Sequence, residues 1–164
     1  MTLQSTVALN QGFGLVGEIQ FEGPTRAQPG VTKVGTATAA DIVVGRAFTI
    51  DAADGQFQPG GTGVFGGILA NPKGLASIGT SAGGPLAPTL TVPAGTVGEF
   101  LTMGEILVAL PAAAPIGSLI YFTNATGVLG VGTAAGGQTQ IANAVVKRYA
   151  NAAAGLAVVS FTGP

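Results

Sequence analysis

A serine flanked by glycines is the most chemically suggestive short motif in the sequence. The segment Gly79–Gly83, GTSAG, matches the G-x-S-x-G pattern of a nucleophilic serine. That pattern acts only between a strand and a helix, and its serine needs a histidine base. Gly84 and Pro85 follow the motif, and the chain contains no histidine. We therefore expect that Ser81 is not catalytic and that the protein is not an enzyme.

Glycine spacing in a second segment matches the fingerprint of a dinucleotide-binding turn. Gly61, Gly63 and Gly66 have the G-x-G-x-x-G spacing, which binds pyrophosphate only where it opens a helix after a strand. Here we predict that an apolar strand follows, and a chain with 28 glycines contains such spacings by chance. We expect no bound cofactor.

Two pairs of carboxylates are the remaining candidates for chemistry. Asp51 and Asp54 share one short loop, where they either hold a cation or, more simply, form an Asx-type turn. Glu99 and Glu105 have the residue types of a glycosidase pair, but two exposed carboxylates beside a strand–turn–strand unit are the simpler interpretation. Cysteine is absent as well as histidine, which excludes disulfides and the usual zinc and thiol sites. We predict no metal site.

Charge is scarce in this chain of 164 residues. Hydrophobic residues make up 47% of it and charged residues 8%, against about 25% charged in ordinary soluble domains. Six basic and seven acidic residues balance each other, which gives no basic surface for nucleic acid. No acidic or basic residue lies between Glu105 and Lys147. A free monomer with so few surface charges would have low solubility. We therefore expect partners to cover much of the surface.

Neither a secretory signal nor a membrane segment is expected. The N-terminus has no basic region followed by an apolar run. The segment Ile106–Phe122 carries no charge, but Pro111, Pro115 and Gly117 interrupt it. A buried β segment therefore accounts for it better than a membrane span.

Short apolar runs separated by glycine and proline predict an all-β protein. The clearest runs are Asp41–Ile50, Val64–Asn71, Thr89–Val92, Val97–Met103, Glu105–Leu110, Ile116–Thr123 and Leu156–Thr162. The paired glycines of the second run indicate a β-bulge or a close backbone contact. The segment Thr139–Ala154 has the apolar spacing of a helix, but the β-branched pair Val145 and Val146 favours a strand over Gln140–Arg148. Many short strands with turn-marked spacing are typical of a single β-sandwich or barrel-like domain.

The first part of the chain is predicted to be an extended N-terminal arm. Glycine and proline punctuate residues 1–35 at a density that opposes a helix. We predict one short strand there, Val16–Phe21, and a β-rich domain over residues 36–164, with a long surface loop at 72–88. The candidates for contact with a partner are four apolar residues of the arm: Phe13, Leu15, Ile19 and Phe21. A terminus packed on its own domain is the alternative.

The densest apolar stretch, Glu99–Leu129, predicts strands that are apolar on both faces. Neither of its strands alternates cleanly between apolar and polar residues. A strand of this kind is covered on both faces, by a second sheet or by another subunit. Leu107, Ile120 and Phe122 are therefore the candidate residues of an interface between copies of the chain.

Several segments read together resemble the capsid decoration, or structural cement, proteins of tailed bacteriophages. They are MTLQSTVALNQGFG at 1–14, GEIQFEGP at 17–24, VVGRAF at 43–48, VPAG at 92–95, GEILV at 104–108, GSLIYFTN at 117–124 and the C-terminal strand at 156–161. The resemblance covers about residues 1–162 and lies in strand segments, not in one sharp motif.

The resemblance implies an all-β protein of the virion, made in the host cytoplasm, that sits on the outer surface of the capsid. It implies binding to the major capsid protein, cementing of neighbouring subunits, and a homo-oligomer, with a trimer favoured and a dimer possible. The family has no catalytic residues to transfer to this chain. A β-sandwich binding module of a virion fibre, specific for a receptor or carbohydrate, is the alternative. The lack of tryptophan, with only Tyr121 and Tyr149 as tyrosines, argues against sugar stacking.

Overall fold

The computed structural model describes residues 14–20, 23–71 and 91–162, which form an all-β protein, as predicted. Its strands are β1 (Ile19–Gln20), β2 (Arg26–Val31), β3 (Ala47–Ile50), β4 (Phe57–Pro59), β5 (Val64–Leu69), β6 (Val97–Leu110), β7 (Leu119–Thr123), β8 (Leu129–Val131), β9 (Gln138–Arg148) and β10 (Gly155–Phe161). A short 3-10 helix, Ala39–Asp41, precedes β3. Over the described ranges, no helix is long and apolar enough to cross a membrane.

The 14-residue strand β6 organises the sheet because it pairs along both of its edges. Its first half, residues 97–103, pairs with β2 on one edge and β5 on the other. Its second half, residues 104–110, pairs with β1 and β10. Gly104 lies between the halves with a φ of 127°, a conformation open mainly to glycine. The two strands predicted on either side of Gly104 are therefore one continuous strand.

The first half of β6 belongs to a barrel-like part of the molecule, which we call the barrel half. Its strand order is β2-β6-β5-β3-β4, and a bridge between Thr32 and Phe57 brings β4 back beside the end of β2. The ring of Phe100 lies between Phe57 and Phe48, with centroid distances of 4.1 and 5.1 Å. These rings, with Ile42, Val44, Leu69 and Val92, form the barrel core.

The second half of β6 belongs to the sheet half, in the order β1-β6-β10-β9-β7-β8. The inner face of this sheet packs against the outside of the barrel half, so one core contains residues of both. Phe65 of β5 crosses the boundary, with its ring 6.1 Å from Phe122 and 6.2 Å from Phe161. Alternation along a strand divides neighbours between the cores: Phe100 lies in the barrel core and Leu101 in the shared core.

The strand predicted over Asp41–Ile50 is wrong in its first part. The 3-10 helix ends at Asp41, residues 44–45 form a turn, and the strand begins only at Ala47. Gly45 has a φ of 77°, and its N–H donates to the carbonyl of Leu69 at 2.7 Å. An extended strand cannot contain that conformation. Ile42 and Val44 are nevertheless buried in the barrel core. Their apolar side chains at every second position therefore gave the pattern of a strand without forming one.

Two other local predictions are confirmed. The ambiguous segment Gln140–Arg148 lies within strand β9. The paired glycines of β5 form a bulge, because the register against β3 moves from Gly67 opposite Phe48 to Phe65 opposite Thr49. Gly66 is the extra residue that such a bulge inserts.

Much of the described part of the predicted arm lies along β6. The Gly17 N–H donates to the Leu107 carbonyl at 2.7 Å, and the Leu107 N–H donates to the Glu18 carbonyl at 2.9 Å. Strand β1 falls within the predicted strand, and β2 pairs with β6 over six residue pairs. Phe13, Phe21, the loop at 72–88 and the Ser81 motif lie outside the described residues. The domain division at residue 35 stays a prediction.

Candidate interaction surface

The glycine spacing of the dinucleotide fingerprint leads into a strand. Gly61 and Gly63 lie in the connection between β4 and β5, and Gly66 lies within β5. The predicted apolar strand after the spacing is therefore confirmed. A glycine turn that leads into a strand lacks the helix N-terminus at which pyrophosphate binds.

The loop carboxylates of Asp51 and Asp54 hold the ammonium group of Lys33. Lys33 Nζ lies 2.5 Å from Asp51 Oδ2 and 2.8 Å from Asp54 Oδ2. Each carboxylate also accepts an N–H from two residues further on, Ala53 and Gln56 respectively, so the predicted Asx turns are present. The lysine bonds, followed by these N–H bonds, lower the pKa of both carboxyls, and the pKa of Lys33 is raised. Across the described ranges, no group of three or more potential metal ligands is found.

Glu99 and Glu105 have unlike surroundings. Glu99 is exposed in the first half of β6, as predicted. Glu105 is only 4% exposed, so the prediction of an exposed carboxylate is wrong there. Its two oxygens accept hydrogen bonds from Lys147 Nζ and, at 2.7 Å, from Arg148 Nη2. We call Glu105, Lys147 and Arg148 the ionic cluster.

A bulge in β9 allows two successive cations to reach one carboxylate. In a regular strand, Lys147 and Arg148 would point to opposite faces. The register against β10 shifts instead, because Val158 pairs with Arg148 while Val159 pairs with Val146. Lys147 is thus the extra residue of the bulge, and both cations lie on the face that carries Glu105.

The ionic cluster lies on the outer face of the sheet half, among uncharged side chains. The strand register aligns five residues in one row across this face: Gln20, Glu105, Ser160, Val145 and Leu119. In the next row, Leu107 pairs with Val158, and both are fully buried. Exposure therefore rises across the face, from buried residues on β6 and β10 to Leu119, which is 47% exposed on β7.

The structure places the three predicted interface residues inside the chain. Ile120 and Phe122 lie in the shared core. Leu107 lies on the outer face, where the segment before β1 covers it: a Cβ built on Gly14 would come within 3.0 Å of a Leu107 methyl. None of the three has exposed surface in the single chain. Their assignment to an interface between copies stays a prediction.

Two of the four arm residues predicted to contact a partner can be placed. Leu15 is 68% exposed. Ile19 is half-buried and packs against the shared core. For both residues, contact with a capsid stays a prediction.

Most of the exposed apolar side chains were not indicated by the sequence pattern. Besides Leu15, they are Val31, Val64, Val97, Ile116, Leu119 and Tyr149. Val31 and Val97 pair with each other at the start of β6, whereas Ile116 and Leu119 follow its end. Exposure at these positions depends on register and on where strands stop, which alternation alone does not specify.

Beyond the end of β6, two connections lie side by side. Residues 111–118 join β6 to β7, and residues 149–154 join β9 to β10. Ala114 and Asn151 exchange both of their backbone hydrogen bonds, at 2.9 and 3.2 Å. Neither connection contains an acidic or basic residue, and every residue except Ala114, Ser118 and Asn151 is exposed. We call these two connections the tip.

An apolar groove of about 290 Å³ adjoins the tip. It runs between the entry to β3, the end of β6 and the start of β8, and Pro111 of the tip lines it. Its one charged residue is Arg46, which donates to Asp41 Oδ1 at 2.6 Å and to the Thr126 carbonyl at 3.2 Å. Hydrogen bonds from Thr38, and then from Arg46, lower the pKa of Asp41 to about 2.

The comparisons with known proteins agree with the predicted resemblance. The profile of the family described as structural cement protein (E217 gp24/Pam3 gp6) matches residues 3–162. A solved structure, "The capsid of Myoviridae Phage XM1", contains a chain of similar fold, with a TM-score of 0.68, 19% identity, and coverage of 99% of this chain and 98% of that chain. No curated protein matches the chain. Because the family match spans nearly the whole sequence, the chain belongs to the structural cement protein family of phage capsids, whose place is on the capsid of the virion.

Proposed function

We propose that this protein binds the outer surface of the phage capsid and cements neighbouring major capsid protein subunits. The observation that carries the proposal is the position of the exposed apolar side chains at both ends of β6. Val31 and Val97 lie at its start, and Ile116 lies in the connection that follows its end. A fully extended strand of this length measures about 45 Å. Contacts at its two ends are far enough apart to involve different subunits.

The sheet supplies the stiffness that such a bridge needs. Strand β6 is hydrogen-bonded on both edges, and buried side chains line both of its faces. Its ends therefore keep a fixed separation when force acts between the subunits. A protein that binds only the assembled shell stabilises that shell by mass action, by about 2.7 kcal/mol per site at a free concentration of one hundred times Kd. Many copies, each joining two subunits, multiply this effect.

We further propose that the protein acts as a homo-oligomer, with a trimer favoured over a dimer. The half-exposed row on the outer face of the sheet half, ending at Leu119, supports contact between copies. The exposed Leu15 supports a contact of the N-terminal arm with the shell or with a sister subunit. The mass of the free protein in solution, measured by sedimentation or native mass spectrometry, tests the oligomeric state.

Heat disruption of capsids tests the cementing function. Purified protein added to expanded heads that lack it should bind and raise the temperature at which the heads break. Absence of binding together with an unchanged disruption temperature would remove the proposal. The variant Val97→Asp places a charge at one end of β6 and should still bind while raising the disruption temperature less. An unchanged temperature shift with this variant would argue against a bridge that uses both ends.

A further inference from the structure

We infer that the tip, residues 111–118 and 149–154, supplies most of the binding to the shell, and that its partner surface on the capsid protein is apolar and uncharged. The inference rests on the proposed function. It adds which of the two contacts of the proposed bridge is the stronger and what chemistry the shell presents there.

The tip carries no charge. Residues 111–118 lie within the stretch between Glu105 and Lys147 that has no acidic or basic residue, and residues 149–154 lie in the uncharged stretch after Arg148. The cations next to it in sequence, Lys147 and Arg148, donate to Glu105. A partner carboxylate or ammonium placed on the tip would lose water and gain no opposite charge in return. The surface that complements the tip is therefore uncharged.

Several polar groups of the tip form hydrogen bonds within the chain. The Asn151 side chain donates to the Leu156 carbonyl at 2.8 Å, and its backbone exchanges hydrogen bonds with Ala114. The Gly117 N–H donates to the Val146 carbonyl at 2.8 Å, and the Ser118 N–H donates to the Pro115 carbonyl at 3.1 Å. Covering the tip with an apolar surface therefore leaves these groups paired, which keeps the cost of desolvation low.

The composition of the tip also lowers the entropic cost of docking. Most of its exposed residues are alanine, proline or glycine, whose side chains lose almost no rotamer freedom when they are covered. Pro111 and Pro115 restrict the backbone before any partner arrives. Ile116, 66% exposed, is the large apolar side chain that a partner pocket would bury. Tyr149, 36% exposed, adds aromatic area beside it.

The two exposed valines at the other end of β6 have charged neighbours. Val31 stands two residues before Lys33, and Val97 stands two residues before Glu99. Lys33 is part of the ion pairs with Asp51 and Asp54. The end of the molecule that carries Val31 and Val97 would therefore face a partner surface of mixed polarity. Binding through that end should depend on salt and on added charge in a different way from binding through the tip.

Binding to heads tests the inference with matched variants. Ile116→Asp and Ala153→Glu each add one carboxylate to the tip, one in each connection. Val64→Asp adds one at a valine that is 75% exposed in the barrel half. All three positions are on the surface, so the purified variants should unfold at the wild-type urea midpoint. We expect the tip variants to bind bare heads at least about tenfold more weakly, and Val64→Asp to bind within about twofold of wild type.

The salt dependence gives an independent result. Between about 50 and about 500 mM NaCl, the Kd of the wild-type protein for heads should change by less than about threefold, because an uncharged interface is not screened. If both tip variants bind as tightly as wild type, or if salt weakens wild-type binding tenfold or more, the tip is not the docking surface, although the cementing function stands. If wild type binds no heads, the proposed function itself fails. If Ile116→Asp splits a wild-type oligomer into monomers, the tip joins copies of the chain and the inference is overturned.

Discussion

The two halves of the molecule handle charge in opposite ways. In the barrel half, most charged residues stand in connections, and several pair at the surface, as Lys33 does with Asp51 and Asp54. From Gly104 to Thr162, the chain has only three charged residues, and all belong to the ionic cluster around the buried Glu105. The barrel half thus spreads its charges over its surface, whereas the sheet half leaves most of its outer surface to uncharged residues.

This difference shows how one strand can serve two purposes. Strand β6 contributes Phe100 to the barrel core and Leu107 to the outer face of the sheet half. The barrel half supplies solubility through its surface charges. The sheet half concentrates its charges in the ionic cluster, which leaves most of the rest of its outer face uncharged and suited to contact with other proteins. Four substitutions test two points: that the two halves differ in how they place their charges, and that they unfold together.

The largest effect is expected from Phe100→Ala, which empties the centre of the barrel core. Phe100 is fully buried between Phe48 and Phe57, so its loss should lower the free energy of unfolding by about 4 kcal/mol. Both tyrosines lie in or beside the sheet half. Because β6 is shared, urea unfolding followed by tyrosine fluorescence should shift together with far-UV circular dichroism.

Phe122→Ala, in the shared core, is the matched variant and should behave in the same way. If the tyrosine signal of Phe100→Ala kept the wild-type midpoint while circular dichroism shifted, the two halves would unfold separately and β6 would not couple them.

The ionic cluster should give the next largest effect. Glu105→Ala removes the buried carboxylate that accepts hydrogen bonds from Lys147 and Arg148. Because both cations remain partly exposed to water, the loss should be about 2 kcal/mol of unfolding free energy. Glu99→Ala removes an exposed carboxylate from the same strand and should change stability by less than about 0.5 kcal/mol. Equal changes in urea midpoint for the two variants would contradict the contrast between the halves.

A substitution at the junction of the halves tests the conformation of β6. Gly104 has a φ of 127°, and a Cβ there would meet Thr25 at 3.3 Å, so the cost comes mainly from the backbone. Gly104→Ala should destabilise the protein by about 2 kcal/mol. Gly136, which has open space around it, is the control, and Gly136→Ala should leave the thermal midpoint nearly unchanged. A stable Gly104→Ala protein would mean that β6 does not need this conformation.

The smallest effect concerns acid stability in the barrel half. The pKa of Asp41 is about 2 in the folded protein, below its ordinary value of 3.8. The folded state therefore gains stability that is present above pH 4 and is lost as the pH falls through 2. With allowance for solvent screening, we expect this contribution to be on the order of 1 kcal/mol. The stability difference between wild type and Asp41→Asn should shrink over that range, and a constant difference would contradict the assignment.

Local sequence signals predicted the class of the fold but not the roles of particular residues. Short apolar runs, turns at glycine and proline, and the β-branched pair in β9 were sufficient for the all-β prediction. The alternation at Ile42 and Val44 led to a wrong strand prediction, because side chains from a turn can be buried in the barrel core just as side chains from a strand can. Only long-range pairing separates the two cases.

The candidate surface was harder to predict because it depends on register. Lys147 and Arg148 reach one face only through a bulge, and the segment at Gly14, distant in sequence, covers the Leu107 side chain. The tip also depends on long-range contact: its two connections are more than thirty residues apart and meet through Ala114 and Asn151. The low charge of the region was visible in the sequence, but its assembly into one end of the molecule was not.

An image of the decorated capsid at a resolution that shows strands tests the central claim most directly. Fitting this structure into the cement density would show which end meets the shell. We predict that residues 111–118 and 149–154 contact the capsid protein, on a patch without charged side chains, and that the loop of Asp51 and Asp54 lies away from that contact. Density with the barrel half against the shell and the tip facing solvent would contradict the account.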